Sequence, residues 1–397
     1  MIIISKIGTK FSVKRKFNYT LRYFSSDIDL SKVSLVTVLL WVTLVKISIS
    51  AFWVLIIEFM ELASLSTYPD LDYYLGIKTG PNFLYFNFLN FIQAEDLSNP
   101  ILILLACVGS VLVDTVCIYL YVTTYHIKRY IIIMYLLFCL HPYFSFYTFR
   151  LDTMFFGKIA CVLFIAKLLW KEKINSELSN FLILFLSMFR LSNLVFLFAS
   201  IFSDRRLTKS EFNKTFVFSS LIFLILAYAS FTLNNTQFDT SNMESVNYTD
   251  IVLSTPTIYG WALEDTQKIF GTYGLAFDNL ILYTIKTVIL FGGREAIYTT
   301  KFEYFDNSNF IYLEYFAVFG LALFNLVCLI SFVLFAKRNK FLIPILLSFS
   351  LLVLHILTVS HMRYLIAFYP MLLIGWISLG QNNKKISVID NIAKTQS

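Results

Sequence analysis

The chain has 397 residues, of which 58% are hydrophobic and only 14% charged, and its mean hydropathy is +0.71. Soluble domains carry about 45–50% apolar and about 25% charged residues, so this balance excludes a disordered chain and a soluble enzyme and predicts a polytopic α-helical membrane protein. The formal charge of +7 comes without any basic stripe interleaved with aromatic residues, so nucleic acid is excluded as a partner.

Residues 1–32 are basic and polar, lack the short apolar core of a cleavable leader, and read as a cytoplasmic N-terminal segment. A membrane domain follows over 33–380, with full-length apolar spans at 34–57, 101–123, 128–147, 153–170, 215–233, 311–336, 341–359 and 364–380. Such runs of about 20 residues suit helices crossing about 30 Å of hydrocarbon, whereas a β-barrel needs alternating tens. The stretch 179–202 is also apolar, but Arg190-Leu191-Ser192-Asn193 interrupts its centre. One crossing and a hairpin of two half-helices both fit its length, and charge decides between them. Lys171 and Lys173 precede the stretch, and Arg205, Arg206, Lys209 and Lys214 follow it, so the positive-inside rule places both flanks in the cytoplasm. The expected fold is therefore an all-α polytopic transmembrane bundle of about eight full spans plus that hairpin, in the inner cell membrane with both termini cytoplasmic. External loops occupy about 58–100 and 234–310, and 381–397 is a cytoplasmic tail. Within the second loop, 279–292 is apolar but too short to span and reads as a helix lying on the outer surface. The five cysteines fall in apolar runs without metal-site spacing and read as small buried hydrophobes.

No phosphate-binding loop, dinucleotide fingerprint, nucleophile elbow or His/Cys metal cluster is present in the sequence. Three polar constellations stand out instead, all external under the charge-derived topology. The first is Tyr68-Pro69-Asp70-Leu71-Asp72-Tyr73-Tyr74. Asp70 and Asp72 can present paired carboxylates, one as general base on a hydroxyl and the other orienting it or holding a divalent cation. Tyr73 and Tyr74 offer flat faces to sugar rings. The second runs from His141 through Arg150 to Asp152, joining the third and fourth spans. The third is His361-Met362-Arg363-Tyr364, ahead of a last span that Pro370 is expected to kink. Arginine there suits phosphate oxygens, which guanidinium binds in a planar fork. Plainer roles compete at each place: a polar loop, an interfacial anchor with an Arg150–Asp152 surface pair, and snorkelling to headgroups. Within the spans, Lys46 and Asp114 lie at similar depth on consecutive helices and are expected to pair as structure. Lys158, two turns from Asp152, is expected to face the outer cavity, and Arg190 breaks the hairpin at its tip.

The acidic first external loop, the hairpin with its FRLSN turn, and a last helix opening HMRYLIAFYP together resemble the GT-C integral-membrane glycosyltransferases, along the whole chain in layout. The resemblance implies transfer of a sugar from a polyprenyl-phosphate-linked donor to a glycan or lipid-linked acceptor at the outer membrane face. It gives Asp70 or Asp72 the role of catalytic base, and Arg363, Arg150 and Lys158 the task of holding the lipid phosphate. His141, Asp152, His361 and Tyr364 complete the expected substrate-binding set. The segment FRLDTMFFGKIA fits the O-antigen and exopolysaccharide polymerases nearly as well. A transporter of lipid-linked glycan is the non-enzymatic alternative.

Overall fold

A nearly unbroken apolar run without proline or glycine forms α1, Leu35–Phe59, in the computed structural model of the chain. That structure describes residues 34–59, 83–92, 98–125, 131–170, 174–203, 284, 287–288, 290–292, 308–357 and 362–379. The short helix α2, Phe83–Phe91, is followed by α3, Pro100–Thr124. Asn99 caps α3 by accepting from the Ile101 N–H at 2.9 Å, and Pro100 fills the first helical position, where its missing N–H is not needed. Among the described residues every regular element is a helix and none is a strand.

Among the described residues three helices are long and apolar enough to cross a membrane: Leu35–Ile56, Pro100–Thr124 and Phe319–Arg338. The third belongs to α9, Ser308–Arg338, whose last turn carries Lys337 and Arg338, where positive charge suits the helix dipole. Leu40, Leu44 and Leu55 of α1 and Leu104, Leu105 and Leu112 of α3 are exposed, an apolar outer surface of the kind that lipid covers.

The remaining apolar runs differ from eight uniform spans. The run at 128–147 is divided into α4, Ile131–Cys139, and α5, Pro142–Phe146. Proline has no N–H and disfavours helical backbone in the residue before it, so α4 stops and His141 caps α5, its Nδ1 accepting from the Phe144 N–H at 3.3 Å. The run at 153–170 forms α6, Thr153–Leu169, of 17 residues. The run at 341–359 forms the 16-residue α10, Leu342–Leu357. The last run is a 3₁₀ turn, Met362–Phe368, leading into α11, Tyr369–Ser378. Pro370 sits in the first turn of α11, where it starts an α-helix rather than kinking one. The span at 215–233 and both termini lie outside the described residues.

The interrupted stretch is a hairpin of two short arms. These are α7, Ser176–Ser187, and α8, Leu194–Ser203, joined through Arg190 and a 3₁₀ turn at Leu191–Asn193. The Ser200 hydroxyl donates to Asn180 Oδ1 at 2.7 Å across a separation of 20 residues. A continuous helix would hold those residues about 30 Å apart, so the chain has folded back on itself. Lys167 of α6 pins the arms, donating to Asn180 Oδ1 at 3.0 Å, to Ser200 Oγ at 3.0 Å and to the Ser200 carbonyl at 3.2 Å.

The core lies between α1, α3, α6, α8, α9 and α11, with α6 buried around most of its circumference. Gly375 of α11 meets α9 so closely that a Cβ there would stand 2.0 Å from the Cys328 carbonyl oxygen. A second, smaller core gathers Tyr85 and Leu89 of α2 with Leu102, Ala106, Phe155 and Phe189, and Tyr85 donates to the Leu151 carbonyl at 2.9 Å. The apolar segment at 279–292 does not simply lie on the surface. Leu290 and Phe291 are buried, and the Asn325 amide of α9 donates to the Phe291 carbonyl at 2.7 Å. Two adjacent large apolar side chains are better covered in the bundle than at an interface.

Candidate functional site

Two polar assemblies are built into the described bundle, one at its centre and one at the Asp152 end of α6. In the first, Lys46 Nζ lies 2.8 Å from Asp114 Oδ2, with both side chains buried. The same carboxylate oxygen accepts from the Tyr135 hydroxyl at 2.8 Å and the Tyr369 hydroxyl at 2.8 Å. Lys46 also donates to the Tyr369 hydroxyl. Lys158 joins from α6, donating to Ser110 Oγ at 3.0 Å and lying 4.5 Å from the centroid of the Tyr369 ring. Its ammonium is therefore part of the central network and does not face an outer cavity. Such a network ties α1, α3, α4, α6 and α11 together, because a buried charge is tolerable only when its partners are fixed around it.

The second assembly begins at Asp152, whose Oδ1 accepts from the Met154 N–H at 2.9 Å and the Phe155 N–H at 3.1 Å. Asp152 thus caps α6 and is fully buried, so it does not stand at the surface as the sequence reading weighed. Arg150 is 7% exposed and lies across Phe146 and Tyr147, its guanidinium carbon 5.8 and 5.5 Å from their ring centroids. The hairpin tip reaches this same end of α6. Arg190 donates through Nη1 to Thr153 Oγ1 at 2.8 Å and through Nε to Ser192 Oγ at 3.2 Å. Its guanidinium carbon lies 5.1 Å from the centroid of Tyr364, in the 3₁₀ turn that precedes α11. The approach needs a glycine: a Cβ on Gly157 would stand 2.5 Å from Asn193 Oδ1 and 2.9 Å from Ala367 Cβ.

Arg190 therefore bridges Thr153, the residue after the second constellation, and Tyr364, the last residue of the third. His141, at the other end of the second, packs elsewhere. It stacks on Phe144 at 4.1 Å between ring centroids, and its Nε2 lies 3.4 Å from the Asn325 amide nitrogen. His141, Arg150, Asp152, Lys158 and Tyr364 are all buried, whereas Arg190 is half-buried. Asp70, Asp72, Tyr73, Tyr74 and His361 lie outside the described residues, as does the side chain of Arg363. No group of His, Cys, Asp and Glu able to hold a metal ion occurs among the described residues.

Arg190 entered the sequence reading as the hairpin turn and as part of the FRLSN resemblance, without a binding role. An arginine inside an apolar stretch is costly unless it has partners, and that cost was the available signal. Tyr135, Tyr369 and Lys167 had no comparable signal, because a tyrosine or a terminal lysine in an apolar run is ordinary. No family model, curated protein or solved structure matches the chain, so the reading rests on its own residues.

Proposed function

We propose that the chain is an integral-membrane glycosyltransferase that moves a sugar from a polyprenyl-phosphate-linked donor to an acceptor at the external face. The observation that carries this reading is the meeting of Arg190, Thr153 and Tyr364 at one end of α6. It supplies a half-buried guanidinium, already oriented by two hydroxyls, at the end of the bundle that the charge pattern places outside. A prenyl phosphate sits at headgroup level, where a charged side chain is least costly. Guanidinium binds its oxygens through paired N–H groups.

In this reading Asp70 or Asp72 takes the proton of the acceptor hydroxyl as its oxygen attacks the anomeric carbon. The bond from that carbon to the phosphate oxygen breaks, and the phosphate leaves with the electron pair. Arg190, with Arg363, stabilises the charge that develops on the leaving oxygens. Arg150 and Asp152 hold the shape of the site, the first by packing on two rings and the second by capping α6. Lys158 supports it from below.

The test is surface glycan in cells that depend on this chain. Asp70→Asn, Asp72→Asn and Arg190→Ala are compared with wild type at matched membrane abundance. The reading expects loss of the glycan in Arg190→Ala and in at least one aspartate variant, with Arg190→Lys retaining part of it. Normal glycan in both aspartate variants removes the base assignment. A transport reading draws on the buried charges of the central network. Movement of a labelled lipid-linked glycan across a reconstituted bilayer, with no new glycosidic bond, favours it.

A further inference from the structure

We infer that Lys158 is a two-position latch, its ammonium exchanging between Ser110 Oγ and Asp114 Oδ1. Three observations lead there. Asp114 Oδ2 takes three donors, whereas Asp114 Oδ1 is buried without a hydrogen-bond partner among the described residues. A buried carboxylate oxygen left without a donor is costly. Lys158 is 3% exposed and carries three N–H donors, yet its hydrogen bond goes to a single neutral hydroxyl. Ser110 and Asp114 stand four residues apart on α3, so they share a face and lie about 6 Å apart along it. The unserved acceptor and the underused donor are therefore neighbours.

The path between the two positions follows Tyr369. Lys158 Nζ lies 4.5 Å from the centroid of that ring, and the ring's hydroxyl bonds Asp114 Oδ2. An aromatic face is attractive to an ammonium, so Lys158 stays partnered while it moves. Close approach of the two helices is also provided for. A Cβ on Gly109, beside Ser110, would stand 2.2 Å from the tip of Phe155, so α6 lies directly on α3 there. With Lys158 on Ser110, the carboxylate is held by the Lys46 ammonium and the Tyr135 and Tyr369 hydroxyls. With Lys158 on Asp114, one carboxylate joins α1 through Lys46 and α6 through Lys158. The exchange therefore sets how tightly α6, which carries Thr153 and its bond to Arg190, is tied to α1. This inference stands apart from the glycosyl-transfer reading, since it concerns the resting protein.

The experiment compares thermal midpoints of purified Ser110→Ala and Lys158→Met protein in detergent. A latch predicts that Ser110→Ala lowers the midpoint less than Lys158→Met, because Lys158 moves to Asp114 Oδ1. A fixed lysine predicts the reverse order. Ser110→Ala then strands a buried ammonium, while Lys158→Met removes it, so a Ser110→Ala midpoint at or below that of Lys158→Met overturns the inference. A high-resolution structure of the Ser110→Ala protein gives a second readout. Lys158 Nζ within about 2.7–3.2 Å of Asp114 Oδ1 supports the latch, and an ammonium that stays beside position 110 refutes it.

Discussion

Breaking the Lys46–Asp114 pair from each side separately gives the sharpest stability test. Asp114→Leu leaves Lys46 with the Tyr369 hydroxyl alone and strips the Tyr135 and Tyr369 hydroxyls of their shared acceptor. Leaving one member of a buried ion pair without its partner costs about 3–5 kcal/mol. Hydrogen bonds within membrane proteins average about 0.6 kcal/mol each, so the two tyrosines add roughly 1 kcal/mol. The single variant should therefore lose about 4–6 kcal/mol, enough to remove most folded protein from a marginally stable chain. Lys46→Met should be milder, because Asp114 keeps both tyrosine donors. The double variant Lys46→Met, Asp114→Leu removes both members of the pair, leaves Lys158 on Ser110, and should lose only about 1–2 kcal/mol. Adding Tyr135→Phe and Tyr369→Phe should restore part of the remainder. The assay is the yield of monodisperse protein together with its thermal midpoint in detergent. A double variant whose loss equals the sum of the singles would refute the coupling argued here.

Gly375→Ala should sharply reduce folded protein, because the new methyl group would meet the Cys328 carbonyl at 2.0 Å, whereas Gly320→Ala, with no neighbour within 4 Å, should be silent. Gly157→Ala should push Asn193 and Ala367 apart and abolish surface glycan at a membrane abundance close to wild type, measured by glycan staining against immunoblot. In the hairpin, a short thiol crosslinker should join Asn180→Cys to Ser200→Cys in membranes at high yield. Absence of that product would show that the arms do not run side by side.

Helix positions were legible in the sequence where a single rule dominated. The long, mostly apolar runs of α1, α3 and α9 left length as the main variable, and length was decisive. The hairpin was legible from charge on its flanks, and the Lys46–Asp114 pair from depth on consecutive helices. Rules failed where two of them competed. Pro142 and Pro370 lie in runs hydrophobic enough to count as spans, but local backbone chemistry divides both into shorter pieces. Lys158 was assigned by its distance from the helix end, a measure that says nothing about which way a residue faces around the axis. Six residues from Asp152 is enough to turn it toward α3 and Tyr369. Arg150 and Asp152 look alike in sequence to a ligand site and to a pair of packing devices. The sequence did not show that Asp152 caps α6 through Met154 and Phe155, or that Arg150 packs on the rings of Phe146 and Tyr147.

The central claim is transfer of a sugar from a lipid monophosphate, and the lipid released tests it most directly. Purified protein in nanodiscs is supplied with a panel of synthetic polyprenyl-phosphate hexoses and with surface glycan extracted from cells lacking the chain. Free lipid products are then quantified by mass spectrometry. The account predicts polyprenyl monophosphate, released in proportion to hexose gained by the glycan, and its loss in Arg190→Ala. Polyprenyl pyrophosphate released from oligosaccharide carriers, or lipid-linked sugar moved across the bilayer unchanged, would contradict it.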